Sequence, residues 1–546
     1  MSRISKLSKQ ISNSNADAVV NHMGGVSYSM NPLDTLEIMA SSSILAEPKY
    51  YRQDGSLSSS KPYVPSSFSS YSIFCDDHKS EFDSMKDAVK KSLDYDFGGT
   101  IDLALKLRTE YMMRLNPQLI MVMASMHENR RRYDEENPGK FRKVNVGVMK
   151  RADEPAEQFA CYLVLNGGSK SKIPSVLKRS WKDRIETMTA YEVNKYKNGG
   201  AGIINTVRMC HAGGKLIGDL MKNGSVDVDS SEETWERLKS GGHTFKEIRN
   251  STRIPHMALL RNLRGILSEC EVKNDREYAN GVFSDLLNGV KGGKQFPFRY
   301  FCAAEEIRKE SNRLPFASNA IDCLNQCVET SIDMMPKIEG RTMCLSDNSG
   351  SAWGQLTSEY GTVTVANIDN LSSVIISKLS DEGYVGKFGD KLIVFPVSKN
   401  DGSVGQAMKI SEDRDGDVGG STENGIWEFF RNAIRRKEWW DNVFVFSDQQ
   451  AGHGGLYGKG VPYVIGSTDF TVGSHYIDVL KLVKEYRAAV NPKMNFFTIQ
   501  TAGYSNAVIP QHIYRGAVMS GWTGKEAVFA KQMIDKWNEI DSRNGR

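Results

Sequence analysis

The sequence predicts an α-helical array of HEAT-like repeats, an α solenoid, followed by a C-terminal α/β domain with a doubly wound, mostly parallel sheet. Three observations carry this prediction. Segments with apolar residues at three- and four-residue spacing follow one another from about residue 80 to 336. After 337 the pattern changes to short apolar runs alternating with helical segments, the mark of a parallel sheet with crossover helices. At 546 residues the chain also exceeds what one core accommodates.

Residues 1–79 form an N-terminal segment. Its start, "MSRISKLSKQISNSN", is basic and polar and lacks the apolar stretch of a signal peptide. "GGVSYSMNPLDTLEIMASSSI" holds a strand and a short helix, and the Ser- and Pro-rich stretch at 56–72 reads as a linker or loop. The helical region 80–336 then runs through "TIDLALKLRTEYMMRL", "NPQLIMVMASMHENRRRY", "EPAEQFACYLVLN", "IPSVLKRSWKDRIETMTAYEVNKYK", "IPHMALLRNLRGILSE", "REYANGVFSDLLNGV" and "SNAIDCLNQCVETSIDMM". Pro or Asn-Pro opens several of them. Amphipathic helices on short connections suggest stacked helix pairs, although no fixed repeat period emerges. Methionines such as Met112, Met113, Met121, Met123 and Met126 lie on the apolar faces as core filler.

A net charge of +4 hides an uneven distribution: 37 basic against 30 acidic residues lie between 101 and 336, an excess of 7. That excess points weakly to a polyanionic partner. No run of about 18 apolar residues is present to cross a membrane. Eight scattered cysteines show no framework spacing and fit a reducing cytoplasm.

In the region 337–546, "RTMCLSD", "DKLIVFPVS", "DNVFVFSD" and "MNFFTIQT" read as strands buried on both faces of a parallel sheet. "GIWEFFRNAIRRKEWW", "SHYIDVLKLVKEYRAAV" and "GKEAVFAKQMIDKWNEI" read as the helices. Ligands bind such sheets at the carboxyl ends of the strands. There Asp347 ends one strand, Ser349 and Ser351 follow at two-residue steps in "LSDNSGSAWG", Asp448 ends another strand, and Thr422 sits at a helix start in "GGSTENG". This set offers oxygen ligands alone, which suits magnesium, with manganese or calcium as alternatives. "GGLYGKG" departs from the phosphate-binding loop, with His453 and Gly460 at the required positions, and neither a nucleophile elbow nor a His-Glu zinc pattern is visible.

The D-x-S-x-S motif with a later Thr and Asp resembles the metal-ion-dependent adhesion site (MIDAS) of von Willebrand factor A domains. A helical array before such a domain resembles the Ro autoantigen family, whose helical repeat portion is the TROVE module. The likeness is most specific at "IPHMALLRNLRGIL", "TMCLSDNSGSA" and "WTGKEAVFAKQMIDKWNEID", extends through residues 178–214, and covers most of 20–541. The resemblance implies a ring of helical repeats whose ends the A domain joins. It also implies Y RNA, a small noncoding RNA, on the outer basic face, and single-stranded 3′ ends of structured or misfolded RNA in the central hole. Further implications are a noncatalytic, cytoplasmic ribonucleoprotein role in noncoding RNA quality control, a monomeric state, no membrane association, and an exoribonuclease partner such as polynucleotide phosphorylase.

The candidate RNA-binding residues are Lys170, Lys172, Lys178, Arg179, Lys182, Lys195, Lys197, Arg208, His211, His256 and Arg261. Cations repeated on neighbouring helices neutralise phosphates; a solvated surface is the alternative for the same lysines. Trp181 and Tyr196 either stack on unpaired bases or fill the core. His211 matches a position the family uses for Y RNA, and otherwise reads as a helix-end histidine; between Lys195 and His211 this chain is one residue shorter than relatives and carries "NGGAG". Arg264 reads equally as a salt-bridge residue. Two rivals remain, a metal-dependent protein-interaction module on a helical scaffold and a metal-dependent hydrolase using the same carboxylates.

Overall fold

The computed structural model describes residues 18–20, 26–28, 31–42, 79–110, 113–196, 203–226, 234–293, 295–354, 363–412, 418–419, 424–447, 456–457, 462–472, 476–501, 509, 512–520 and 526–543. The described residues between 31 and 253 form one compact unit, and those from 254 onward, with the strand pair at 18–20 and 26–28, form a second. The expected strand and helix near the start are Val26–Tyr28 and Pro32–Ser42. The Ser-rich stretch at 56–72 lies outside the described residues.

In the first unit we label α1 (Phe97–Thr109), α2 (Leu115–Met126), α3 (Lys140–Val148), α4 (Glu154–Leu165), α5 (Ser175–Glu186), α6 (Ala190–Tyr196) and α7 (Ile203–Cys210). Local chemistry sets their ends. The Asp96 carboxylate accepts from the Gly99 amide at 2.8 Å and starts α1, and Pro155 opens α4 where its missing N–H costs nothing. The segment 173–197, expected as one helix, is two. Thr187 Oγ1 donates to the Arg184 carbonyl at 2.8 Å, and Thr189 with Glu192 caps the start of α6, so the two threonines outbid the helix for its own backbone.

Neutral amides key these helices together. The Trp181 indole donates to Gln158 Oε1 at 2.9 Å, and Gln158 Nε2 donates to Gln118 Oε1 at 2.8 Å and Asn145 Oδ1 at 2.6 Å. All four side chains are buried, so each of these bonds is made in a medium where an unmade one costs about 1–3 kcal/mol. Trp181 is therefore a core residue, packed on Phe159 at 5.7 Å between ring centres.

A buried ionic cluster lies at the start of α4. Arg108 pairs with Glu154 at 2.7 Å and Arg114 with Asp153 at 2.8 Å, while Glu157 stands 3.7 Å from Arg114. Burial pushes the Glu157 carboxyl up to about 7, and Arg114 offsets only part of that. A folded-state value above the unfolded one means that the folded protein binds the extra proton between roughly pH 4.5 and 7, so this group's stabilising contribution is lost as pH rises through that window. Glu157→Gln should remove the loss: in urea unfolding, the variant should gain on the wild type by about 2 kcal/mol between pH 4.5 and 7.5, and a constant difference would contradict it.

In the second unit the helices are α8 (His256–Arg261), α9 (Arg276–Gly293), α10 (Pro297–Lys309), α11 (Ala317–Asp333), α12 (Val365–Leu379), α13 (Ser403–Glu412), α14 (Asn424–Arg436), α15 (Val479–Ala489) and α16 (Glu526–Arg543). The segment 254–269, expected as one helix, breaks after α8 at Asn262, whose side chain donates to the Ala258 carbonyl at 2.8 Å. The principal strands are β1 (Ile338–Asp347), β2 (Ser380–Phe388), β3 (Leu392–Pro396), β4 (Asn442–Ser447), β5 (Asn495–Gln500), β6 (His512–Ile513) and β7 (Gly516–Ser520). They form a seven-stranded sheet in the order β6-β7-β5-β4-β1-β2-β3. Neighbours from β7 to β2 are parallel, and β3 and β6 are antiparallel edges. The doubly wound α/β domain is thus as predicted, with one correction: "DKLIVFPVS" supplies an antiparallel edge strand, Leu392–Pro396, exposed at Val394 and Pro396.

The strand next to that edge, β2, "SDEGYVGKF", escaped the sequence reading because glycine stands where bulk is expected. A Cβ on Gly383 would lie 2.0 Å from the Ser377 carbonyl oxygen of α12, and one on Gly386 2.7 Å from Leu345. Close approach of α12 requires Gly383, crowding by the neighbouring-strand side chains Leu345 and Leu392 requires Gly386, and together they erase the apolar signature of the strand. Leu345, Val445, Phe430, Tyr486 and Phe496 pack on one face of the sheet with α14 and α15. On the other, Phe444, Phe497 and Trp537 of α16 stack in series at 4.7 and 5.6 Å. Glu329 of α11 ties the helices to this domain, accepting from Lys378 Nζ at 2.7 Å and the Ser403 amide at 2.6 Å. No described helix is long and apolar enough to cross a membrane, and the seven described cysteines are free thiols.

Candidate functional site

The chain leaves β1 towards β2 on one side and returns to β4 on the other, so the winding reverses between β1 and β4. This is the switch point at which doubly wound sheets open a crevice at their carboxyl ends. Asp347 and Ser447, the last residues of β1 and β4, meet there: Ser447 Oγ donates to Asp347 Oδ2 at 2.6 Å. The Ser349 amide donates to Asp347 Oδ1 at 2.9 Å, folding the loop back over the carboxylate. Asp347, Ser349 and Ser447 are all buried.

The loop is braced from α12. Asn370 Oδ1 accepts from Ser346 Oγ at 2.7 Å and Asn348 Nδ2 at 2.9 Å, and Asn370 Nδ2 donates to Asn348 Oδ1 at 3.0 Å. The Asn348 amide donates to the Phe388 carbonyl at the end of β2 at 2.8 Å. Beyond β4, Thr501 follows β5; its amide donates to the Ser447 carbonyl at 3.0 Å and its hydroxyl to Asp369 Oδ2 at 3.2 Å.

Of the five predicted metal ligands, Asp347 and Ser349 therefore lie at the switch point. Ser351 falls in a short helix, Gly350–Gly354, its side chain outside the described residues, as are Thr422 and Asp448 altogether. The donors present are carboxylate and hydroxyl oxygens on rigid strand ends, a chemistry that suits a hard divalent cation and not a softer one. Among the described residues no three His, Cys, Asp or Glu side chains converge as a metal cage. Sequence reasoning missed Ser447, Thr501 and Asp369. The signal for the first two was available, a hydroxyl at the carboxyl end of an apolar run; Asp369 sits on a helix and had none.

The candidate RNA-binding residues divide between the units. In the first, Lys170 and Lys172 occupy an exposed turn before α5, Lys172 with a φ of 59°. Lys178, Arg179 and Lys182 lie on α5, and Arg208 and His211 at the end of α7, with His211 exposed at a φ of 52°. Glu186 joins these ends, accepting from the Gly213 amide at 2.8 Å with Lys182 3.7 Å away. Lys170, Lys172, Lys178, Arg179 and Arg208 make no ion pair among the described residues. Other basic residues are neutralised: Arg131 and Arg132 pair with Glu135 and Glu136, Arg142 with Asp183, and Arg184 with Glu192.

Lys195 bonds the Tyr191 hydroxyl at 2.9 Å, and Tyr196 lies under the Arg151 guanidinium at 5.8 Å, leaving this part-exposed ring with a cation on its face. Lys197 lies outside the described residues. In the second unit, Arg261 is exposed and Arg264 pairs with Glu310 at 3.0 Å. His256 is half-buried: its Nε2 meets the Tyr300 hydroxyl at 2.7 Å, its ring abuts Gly289 and Gly293 of α9, and burial lowers its pKa.

Ser447→Ala should leave Asp347 without its closest donor. In EDTA, urea unfolding should show a loss of about 1–3 kcal/mol, while an unchanged midpoint would mean the bond is unimportant to the fold.

No protein-family model matches the sequence, and no curated protein matches it. Among solved structures, the chain is similar to the crystal structure of the Ro (RSR) protein of Deinococcus radiodurans, with a TM-score of 0.61 and 12% identity over 92% of this chain and 100% of that one.

Proposed function

We propose that this chain, whose fold is that of a Ro protein, is a noncatalytic RNA-binding scaffold of Ro type. The observation that carries the reading is that Lys170 and Lys172 on the turn before α5, Arg179 and the part-exposed Lys178 on α5, and Arg208 near the end of α7 make no ion pair among the described residues. Arg130, Arg131 and Arg132, by contrast, are matched by acids one helical turn away, so they offer little net charge to a polyanion. The unmatched group can neutralise successive phosphates, and the Arg151–Tyr196–Lys195 surface supplies a ring for an unpaired base.

The finer reading follows the Ro pattern. A Y-like noncoding RNA binds the basic face, and structured or misfolded RNAs engage through single-stranded 3′ ends. The protein works in the cytoplasm as a monomer in RNA quality control and delivers RNA to an exoribonuclease such as polynucleotide phosphorylase. Asp347, Ser349, Ser351, Thr422 and Asp448 hold a divalent cation, magnesium first, which supplies a fixed positive charge for an acidic group of a partner.

Binding of one structured RNA with and without a 3′ tail, across a salt series, tests this. Tail-dependent, salt-sensitive binding without cleavage is expected. Binding that requires divalent metal and ignores salt would instead favour a metal-dependent protein-interaction module. Charge reversal at Lys178, Arg179 and Lys182 should weaken binding and flatten the log–log salt slope by about 0.7–0.9 for each phosphate no longer neutralised, and an unchanged slope would refute the basic-face reading. Ser349→Ala with Ser351→Ala should abolish stabilisation by magnesium or manganese in thermal melts and leave RNA affinity within about twofold; a large affinity loss in a folded variant would contradict that separation of roles.

A further inference from the structure

Asp369 belongs to no ligand position of the D-x-S-x-S pattern, yet it is a fully buried carboxylate beside that site. It lies in the second turn of α12 and accepts from Thr501 Oγ1 at 3.2 Å. Thr501 in turn donates its amide to the Ser447 carbonyl at 3.0 Å, and Ser447 donates its hydroxyl to Asp347 Oδ2 at 2.6 Å. One continuous path thus runs from the helix carboxylate across the ends of β5 and β4 to the carboxylate that ends β1. The adjacent Asn370 braces the loop that carries Ser349, so neighbouring positions of α12 hold both the site's backbone and its second carboxylate.

We propose that Asp369 is a positioning residue of the cation site, acting through Thr501 and Ser447 to orient Asp347 and adding a second buried negative charge that favours a divalent ion. The inference rests on the metal reading given above. Its physical basis is threefold. Partners beyond the ligands fix ligand orientation and tune affinity. The Thr501 hydroxyl tied to Asp369 fixes the strand end whose amide holds the Ser447 carbonyl in place. Charges buried on both sides of such a path are also poorly screened by salt. A purely structural Asp369 would instead favour the amino-terminal half of α12 electrostatically, a contribution that exists with or without metal.

The test uses the full chain and manganese as probe, with affinity read by calorimetric titration and by the resonance signal of free manganese, and with unfolding midpoints in EDTA measured in parallel. Asp369→Asn removes the charge and keeps an acceptor for Thr501. Thr501→Val keeps the charge and removes the link. Both should weaken manganese binding about tenfold or more while the EDTA midpoint changes little. Should Asp369→Asn fail to fold, Thr501→Val still carries the test, because it leaves the carboxylate in place. Wild-type manganese binding with both variants within twofold of it would overturn the role of Asp369 alone, as would an affinity loss matched by loss of folded protein in EDTA. A wild-type chain that binds no manganese would overturn the metal reading and this inference with it.

Discussion

The hydrogen bond from Ser447 to Asp347 closes the point where the sheet reverses its winding, and the second unit is organised around it. A carboxylate at the end of a central strand is removed from water on both faces, so it must be satisfied by donors fixed in advance. The Ser447 hydroxyl and Ser349 amide meet that demand. Their geometry holds only if β1 and β4 are paired in one register, with Ser346 opposite Phe446. A slip of one residue would carry the hydroxyl to the opposite face of the sheet. The same register places Leu345 beside Val445 in the core, so packing and polar satisfaction select one alignment.

How much of this was legible in the sequence depended on which force shaped each segment. Strands β1, β4 and β5 are apolar because both faces are covered, and their runs could be read directly. Strand β2 could not, because a missing side chain at Gly383 admits α12 and one at Gly386 makes room for Leu345 and Leu392 of the neighbouring strands. Helix existence was legible from periodicity, but the breaks at Thr187–Thr189 and Asn262 arise from side-chain bonds to the backbone that an apolar pattern ignores. Asp347 and Ser349 were found because their spacing is local. Thr501 and Asp369 are 132 residues apart and meet only in the folded domain.

The basic region shows the same division between composition and structure. The densest basic run, Arg130–Arg132, is the least available, since each arginine faces an acid four residues on. Lys178 and Arg179 sit in a less conspicuous segment and make no ion pair among the described residues, because Asp183, four residues beyond Arg179, is taken by Arg142 of α3, while Trp181 from the same helix is drawn inward. Net charge therefore points to a region without singling out its uncompensated residues. Spacing alone would pair Arg179 with Asp183, so the fold and not the local spacing decides which cations stay uncompensated.

The amide network around Gln158 has a consequence for assembly of the helical unit. Apolar faces of stacked helices are forgiving, and a helix displaced by a turn still finds methyl groups to cover. Amides are directional, and Gln158 meets Gln118, Asn145 and Trp181 from three different helices at once. Any sliding or rotation that breaks this fit strands several dry donors and acceptors together. The network acts as a key in a lock of otherwise interchangeable parts, rejecting misaligned stacks that hydrophobic packing alone would accept.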